Sequence, residues 1–215
     1  ESTKEIIKEH GLNIDAKLID EKDHKKAAEL AVDLVTKGKA DTIMKGMVQS
    51  AIFLRAVLNK EKGLNVGKRI TQISVMEKED GEGLRLITDC AITVAPDVIE
   101  KKEVLENAVS LAHKLGYKEP RVALLASVEV INPNMQDTLD AAILSKMADR
   151  GQIKGCIVDG PFALDNAISD EAAKHKGVVS PVAGNADILV VPNLTVGNVL
   201  TKSISYIAKK TVVAA

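Results

Sequence analysis

Tryptophan is absent from the chain, and its aromatic side chains are limited to Phe53, Tyr117, Phe162 and Tyr206. Single-stranded nucleic acid is gripped by aromatic platforms on which bases stack, so this small set argues against that class of partner. An excess of one charge is also missing, with 29 Lys and Arg against 30 Asp and Glu. Such a nearly neutral chain has no overall field to draw in duplex nucleic acid, and any anionic ligand must be held by local cations. The longest apolar runs, Val122 to Val128 and Ile188 to Val191, are far shorter than the roughly 20 residues that a membrane helix requires. The opening Glu1-Ser2-Thr3-Lys4-Glu5 has no signal-peptide pattern, and a cytoplasmic protein is expected.

The two cysteines, Cys90 and Cys156, are far apart in apolar surroundings, with no neighbouring Cys or His to complete a metal site or a disulfide framework. Buried reduced thiols are expected. Fourteen Gly and six Pro are too few for a disordered chain, and 46% hydrophobic residues match an ordinary globular protein. A body of 215 residues can bury about 70% of its extended surface, enough for one large domain or two small ones.

From Asp15 onward, short β-rich runs alternate with helical stretches, the pattern of an α/β fold whose mostly parallel sheet is covered by helices. The strands are predicted at Ala16 to Ile19, Thr42 to Met44, Ile70 to Met76, Arg85 to Ile92, Arg121 to Val128, Gly155 to Val158 and Ile188 to Val191. Several are continuously apolar, as buried parallel strands are. Helices are predicted over His24 to Lys37, capped by Asp23 and ended by Gly38, and over Asp97 to Leu115, closing at Gly116. Further helices are expected at Ser50 to Lys60, Asp137 to Arg150, Asp165 to Lys176 and Asn198 to Lys209.

The polar segment Glu77 to Gly83 reads as a hairpin turn. Breaks at Pro96-Asp97 and Glu119-Pro120 suggest a first domain over residues 1–96 and a second over 97–215 that runs back toward it. The final Val212-Val213-Ala214-Ala215 is apolar and β-branched, so the sheet is expected to continue past it.

Common catalytic signatures are missing: no G-x-S-x-G, no P-loop, no H-E-x-x-H and no G-x-G-x-x-G after a strand. The four histidines lie in charged helical stretches and read as solvated or structural. Four places combine a strand end with polar groups, where ligands bind in open parallel sheets. Lys45 and Gly46 follow the predicted strand at 42–44, and Arg55 on the next helix is placed to share an anion with Lys45. Ser127, with Glu129 and Asn132, ends the strand from Arg121. Asp159 and Gly160 lead from another strand end to Asp165. Finally, the segment Pro192 to Lys202 leaves a strand and enters a helix, where free amides and Lys202 one turn in would attract an anion. On spacing alone each of these also reads as a turn, with Asp165 a helix cap and Arg55 facing water.

Together these motifs resemble the phosphate acetyl/butyryltransferase family. The similarity includes Ala40-Asp41 through Lys45-Gly46, Phe53-Leu54-Arg55, Thr88-Asp89, Val128 to Pro133, Ser145-Lys146-Met147, Arg150 to Gly155, Asp159-Gly160-Pro161, Pro181 to Gly184 and Gly197-Asn198. The block from Glu129 to Pro161 is more similar to the butyryltransferases than to the acetyltransferases. The resemblance implies a two-domain fold related to isocitrate and isopropylmalate dehydrogenases, in a homodimer or higher assembly. Acyl phosphate and coenzyme A would lie in the interdomain cleft, with coenzyme A as a substrate and no metal or tightly bound cofactor. It also implies direct attack of the thiol on the acyl phosphate carbonyl. Lys202 and Ser127 would then serve the departing phosphate as catalytic residues. Arg55, Lys45, Gly46, Asn132, Asp159, Gly160, Asp165, Gly197 and Asn198 would bind the substrates.

Two departures stand out. A Tyr precedes the matching lysine in the acetyltransferases and in some butyryltransferases, whereas Thr201 stands here, and a smaller side chain would enlarge an acyl pocket. The family's Ser-Arg pair and following Asp, which position the acyl phosphate and take the thiol proton, fall after Ala215, so these 215 residues alone are expected to be inactive. The competing readings are a phosphate acetyltransferase and a noncatalytic ligand-binding or oligomerisation module of the same fold.

Overall fold

In the computed structural model, which describes residues 2–64 and 67–215, the chain forms two compact units, Glu1–Lys68 and Arg69–Ala215. The division is not at 96/97. A cut there would separate strands over 73–88 from the sheet to which their hydrogen bonds tie them.

The first unit contains helices α1 (Ser2–Glu9), α2 (His24–Thr36) and α3 (Ser50–Val57). Asp23 caps α2 as its sequence position suggests, its carboxylate accepting from the Lys25 and Lys26 amides at 2.8 and 3.0 Å. Ala28 and Val32 of α2 pack with Ala56 of α3 into a small core. The strands expected at 16–19 and 42–44 do not form. Leu18 and Ile19 are 44% and 49% exposed, so nothing in this unit rewards them for pairing.

The second unit is a six-stranded sheet with flanking helices. Its strands are β1 (Ile73–Glu77), β2 (Leu84–Thr88), β3 (Arg121–Leu125), β4 (Ile157–Phe162), β5 (Ile188–Val190) and β6 (Val213–Ala214), in the order β4-β3-β5-β2-β1-β6. The pairings from β4 to β2 are parallel, while β1 runs antiparallel to both β2 and β6. The expected hairpin joins β1 to β2, where Lys78 N donates to Gly83 O at 3.0 Å and Gly83 takes a φ of 105° that a side chain would resist. The apolar end of the chain supplies β6.

The helices are α4 (Val98–Lys114), α5 (Gln136–Asp149), α6 (Leu164–Ile168), α7 (Asp170–His175) and α8 (Leu194–Lys202), with a π-helical turn over Ser203–Ile207. A capping box starts α4: Asp97 accepts from the Ile99 and Glu100 amides, and the Glu100 carboxylate accepts from Asp97 N. The single helix expected over 165–176 is broken by Ser169. Its extended backbone ends α6, and its hydroxyl accepts from Ala172 N to start α7.

Alternate residues of each central strand go to opposite faces of the sheet. Leu86, Val122, Leu124, Ile188 and Val190 meet Leu105 and Ala108 of α4 and Leu144 of α5. Ile87, Ala123, Leu125 and Leu189 meet Phe162, Ala167 of α6, and Leu200 of α8. Fully burying one such Leu or Ile is worth about 1.5–3 kcal/mol, so these double-sided strands carry most of the unit's stability.

Connectivity then defines a special point. From β3 the chain crosses through α5 to β4 on one side, then returns through α6 and α7 to β5 on the other side of β3. Between β3 and β5 the winding reverses, so the connections that leave the carboxyl ends of these two paired strands head in opposite directions and leave a crevice.

Candidate functional site at the switch point of the sheet

A cavity of about 480 Å³ occupies that crevice. Leu125, Ala126 and Ser127 from the end of β3 form one side, Pro192 with Thr195, Val196, Val199, Leu200 and Ser203 the other, and Leu164 of α6 also lines it. None of these side chains is charged. Hydroxyls of Ser127, Thr195 and Ser203 are placed around a hydrocarbon surface.

Ser127 is therefore where the sequence put it, exposed at the carboxyl end of an apolar strand. Its loop is tied down by Glu129, which accepts from Asn166 Nδ2 at 3.2 Å and pairs with Lys176 at 3.5 Å. Lys176 also pairs with Asp165 at 3.0 Å, and this hydrogen bond holds the Asp165 carboxyl below the usual carboxylate range. Asp165 is not the cap of α6, a position taken by Ala163, but lies in its first turn.

The helix after β5 differs from expectation. It starts at Leu194, with Asn193 as its cap, so Lys202 is its last residue rather than one turn in. The positive end of the helix and the Lys202 ammonium are thus at opposite ends. Amides expected to be free for an anion are occupied: Leu194 N donates to Val94 O at 3.1 Å, and Val196 N to Asn193 Oδ1 at 3.1 Å. Lys202 itself is exposed.

Gly197 and Asn198 look away from the cavity. Asn198 Nδ2 donates to Cys90 O at 3.3 Å, and Gly197 packs on the Asp89-Cys90 backbone. Thr201 is turned the same way, its hydroxyl donating to Gly197 O at 2.8 Å and lying 3.2 Å from Cys90 Sγ. Asp89 is buried and accepts from the amides of Ala91, Ile92 and Thr93 at 2.9–3.0 Å, which holds the loop that seats α8.

Asp159 and Gly160 lie within β4 instead of in a turn beyond it. The Asp159 carboxylate accepts from Gly160 N, and a side chain at Gly160 would come within 2.8 Å of Leu124 Cβ. Asn132 closes a local turn, its Oδ1 accepting from Asn134 N and its backbone amide donating to the Thr138 hydroxyl. Lys45, Gly46 and Arg55 belong to the first unit. Lys45 donates to Gly46 O and Val48 O in an irregular segment, and Arg55 is exposed in the last turn of α3.

The sequence reading did not single out Leu164 or Ser203, and it took Thr195, Val196, Val199 and Leu200 only as part of a segment whose amides and Lys202 would attract an anion. A spacing of four relates Thr195, Val199 and Ser203, which would have marked one face of a helix. Starting the helix at Asn198 hid that stripe. Both cysteines are free, though Cys156 is only partly buried. Among the described residues, no group of His, Cys, Asp and Glu is arranged to hold a metal ion, and no helix is long and apolar enough to cross a membrane.

An open α/β sheet with a crevice at its switch point defines a broad class of small-molecule binding domains. Sequence narrows it: the family described as phosphate acetyl/butaryl transferase matches residues 3–214, and the chain belongs to that family. It is 53% identical over 192 residues to a phosphate butyryltransferase of Clostridium acetobutylicum, a stretch covering 89% of this chain and 64% of that protein. It is also 46% identical over 183 residues to a phosphate acetyltransferase of Thermotoga maritima, covering 85% of this chain and 62% of the other. Among solved structures, a branched-chain phosphotransacylase from Enterococcus faecalis superposes with a TM-score of 0.84 at 35% identity, over 94% of this chain and 73% of its own. The chain thus spans somewhat under two thirds of the length of these two sequence relatives.

Proposed function

We propose that the protein containing this chain moves a butyryl or similar short acyl group between coenzyme A and inorganic phosphate. The observation that carries the reading is the 53% identity to a phosphate butyryltransferase along nearly nine tenths of the chain. The uncharged cavity at the switch point supports it by offering a hydrocarbon surface beside a hydroxyl. In the thiol-to-phosphate exchange, sulfur bonds to the acyl carbon, the carbon–oxygen bond to phosphate breaks, and its electron pair leaves with the phosphate. The thiol proton goes to a base that none of the residues assigned here supplies.

Ser127 would donate to the carbonyl or leaving oxygen at the cavity rim, and Lys202 would balance the charge that grows on phosphate. Arg55 and Lys45, with Gly46, would hold anionic parts of the substrates. Gly197, Asn198, Asp159, Gly160, Asn132 and Asp165 would act indirectly, by holding α8, β4 and the Ser127 loop in place. In this reading the complete protein is a two-domain relative of the isocitrate and isopropylmalate dehydrogenases, a homodimer or higher assembly in the cytoplasm, with no metal or tightly bound cofactor.

The test is release of free thiol from butyryl-CoA by the complete gene product, with and without phosphate. Phosphate-dependent release is expected, faster for butyryl-CoA than for acetyl-CoA. The 46% identity to a phosphate acetyltransferase makes acetyl transfer the second reading, which a preference for acetyl-CoA would establish. No phosphate-dependent release from either would overturn both.

A further inference from the structure

The cavity differs from the rest of the proposed machinery in its lack of charge. A phosphate, or the nucleotide part of coenzyme A, would find no counter-ion on its walls. A hydrocarbon group would displace water from Leu164, Val196 and Val199, which are 37%, 40% and 59% exposed although they line a concave site. By contrast Leu125 behind them is 6% exposed and already belongs to the core. Val199 follows Thr195 by four residues on α8 and precedes Ser203, at the start of the π-helical turn, by four, and Leu164 reaches the same cavity from α6.

We infer that this cavity seats the hydrocarbon tail of the acyl group, and that Leu164 and Val199 set the length of tail accepted. The inference rests on the acyl-transfer reading and adds to it the residues that discriminate among acyl groups. The three relatives described above are named for acetyl, butyryl and branched-chain transfer, so a family holding one chemistry and varying the acyl group needs an adjustable wall of this kind. Thr201, the position at which sequence first suggested an enlarged pocket, has its hydroxyl engaged by Gly197 and Cys90. The wall that meets the tail is then Val199, on the other side of α8 from Thr201, together with Leu164 across the crevice on α6.

The experiment uses the complete gene product and measures kcat/KM for acetyl-, butyryl- and hexanoyl-CoA with phosphate. Leu164→Trp and Val199→Phe each fill part of the cavity and should lower the butyryl-to-acetyl ratio by about tenfold or more, the scale on which an apolar pocket discriminates a methylene. Leu164→Ala should raise the hexanoyl-to-butyryl ratio. A purely structural role would reduce all three substrates together. An active wild type whose ratios stay within twofold in every variant, or whose variants lose all acyl groups equally, would overturn this inference while leaving the function standing. A variant that instead raises the KM for free coenzyme A with unchanged acyl ratios would also overturn it, since the cavity would then hold the thiol arm. A wild type with no acyl transfer would remove the function and the inference together.

Discussion

Gly197 lies with its α-carbon against the Asp89 carbonyl, so that a methyl group added there would overlap that oxygen and stand 3.0 Å from the Cys90 α-carbon. This contact seats α8, whose other side lines the cavity, on the loop after β2. A Gly197→Ala substitution should cost about 1–3 kcal/mol as the helix is pushed from its seat. Urea unfolding would measure it, and an unchanged or raised midpoint would show that α8 has room to shift.

Asp187, at the start of β5, is held by Lys78 Nζ at 2.6 Å, by Arg121 N at 2.8 Å and by Arg121 Nε at 3.3 Å. Burial pushes its carboxyl up, but the hydrogen bonds from Lys78 and Arg121 prevail and hold it below its ordinary 3.8. The folded state therefore binds this proton less readily than the unfolded chain. The resulting stability is complete above the unfolded value and is lost as pH falls through the folded one. Asp187→Asn should destabilise the protein at pH 7 by about 2–4 kcal/mol, because the partly buried Lys78 is left without its partner. It should also flatten the loss of stability below pH 4 relative to wild type. Denaturant midpoints taken from pH 7 to pH 3 would test both, and parallel curves would be contrary to this account.

Lys202→Met keeps most of the stem and removes the charge. Because Lys202 is exposed at the end of α8, the melting temperature should change little, apart from a small loss of favourable interaction with the helix terminus. If the ammonium stabilises the leaving phosphate, kcat/KM of the complete protein should fall by about a hundredfold to a thousandfold. Near-normal kinetics would transfer that role to Lys45 or Arg55.

Burial, aided by the nearby Glu106 and Glu119 carboxylates, pushes the Cys156 thiol up to about 11, and burial raises Cys90 as well. Since the thiolate is the reacting form, Cys156 should alkylate at pH 8 about a hundredfold more slowly than a thiol at the ordinary 9.0. Its rate should still be rising at pH 10. Mass spectrometry of the iodoacetamide-treated protein would show this, and rapid labelling of Cys156 at pH 8 would contradict it.

The parts of the fold legible in sequence were those whose physics is local. Asp23 and Asp97 announce α2 and α4 because a carboxylate two or three residues before a free amide satisfies it in any context. The hairpin at 77–83 was readable for a similar reason, since its glycines and acidic residues disfavour anything but a turn. Strands β3 and β5 declared themselves because a strand covered on both faces must be apolar at every position. The same logic failed at 16–19 and 42–44, where β-rich residues have no neighbouring strand.

Local chemistry along the chain was thus enough for the alternation of helix and strand in the second unit, the capping of its long helix, the exposure of Ser127 at a strand end and the family to which the chain belongs. Long-range packing was needed to place β5 between β3 and β2, which creates the switch point and its crevice. It also decided that α8 starts at Leu194, because the chain after β5 finds Val94 O and the Asp89-Cys90 backbone waiting for it. That start turns Thr195, Val199 and Ser203 toward the cavity, sends Gly197, Asn198 and Thr201 to the opposite side, and leaves Lys202 at the far end. Sequence spacing specifies which residues share a helical face only after the first residue of the helix is known, and here partners distant in the chain set that residue.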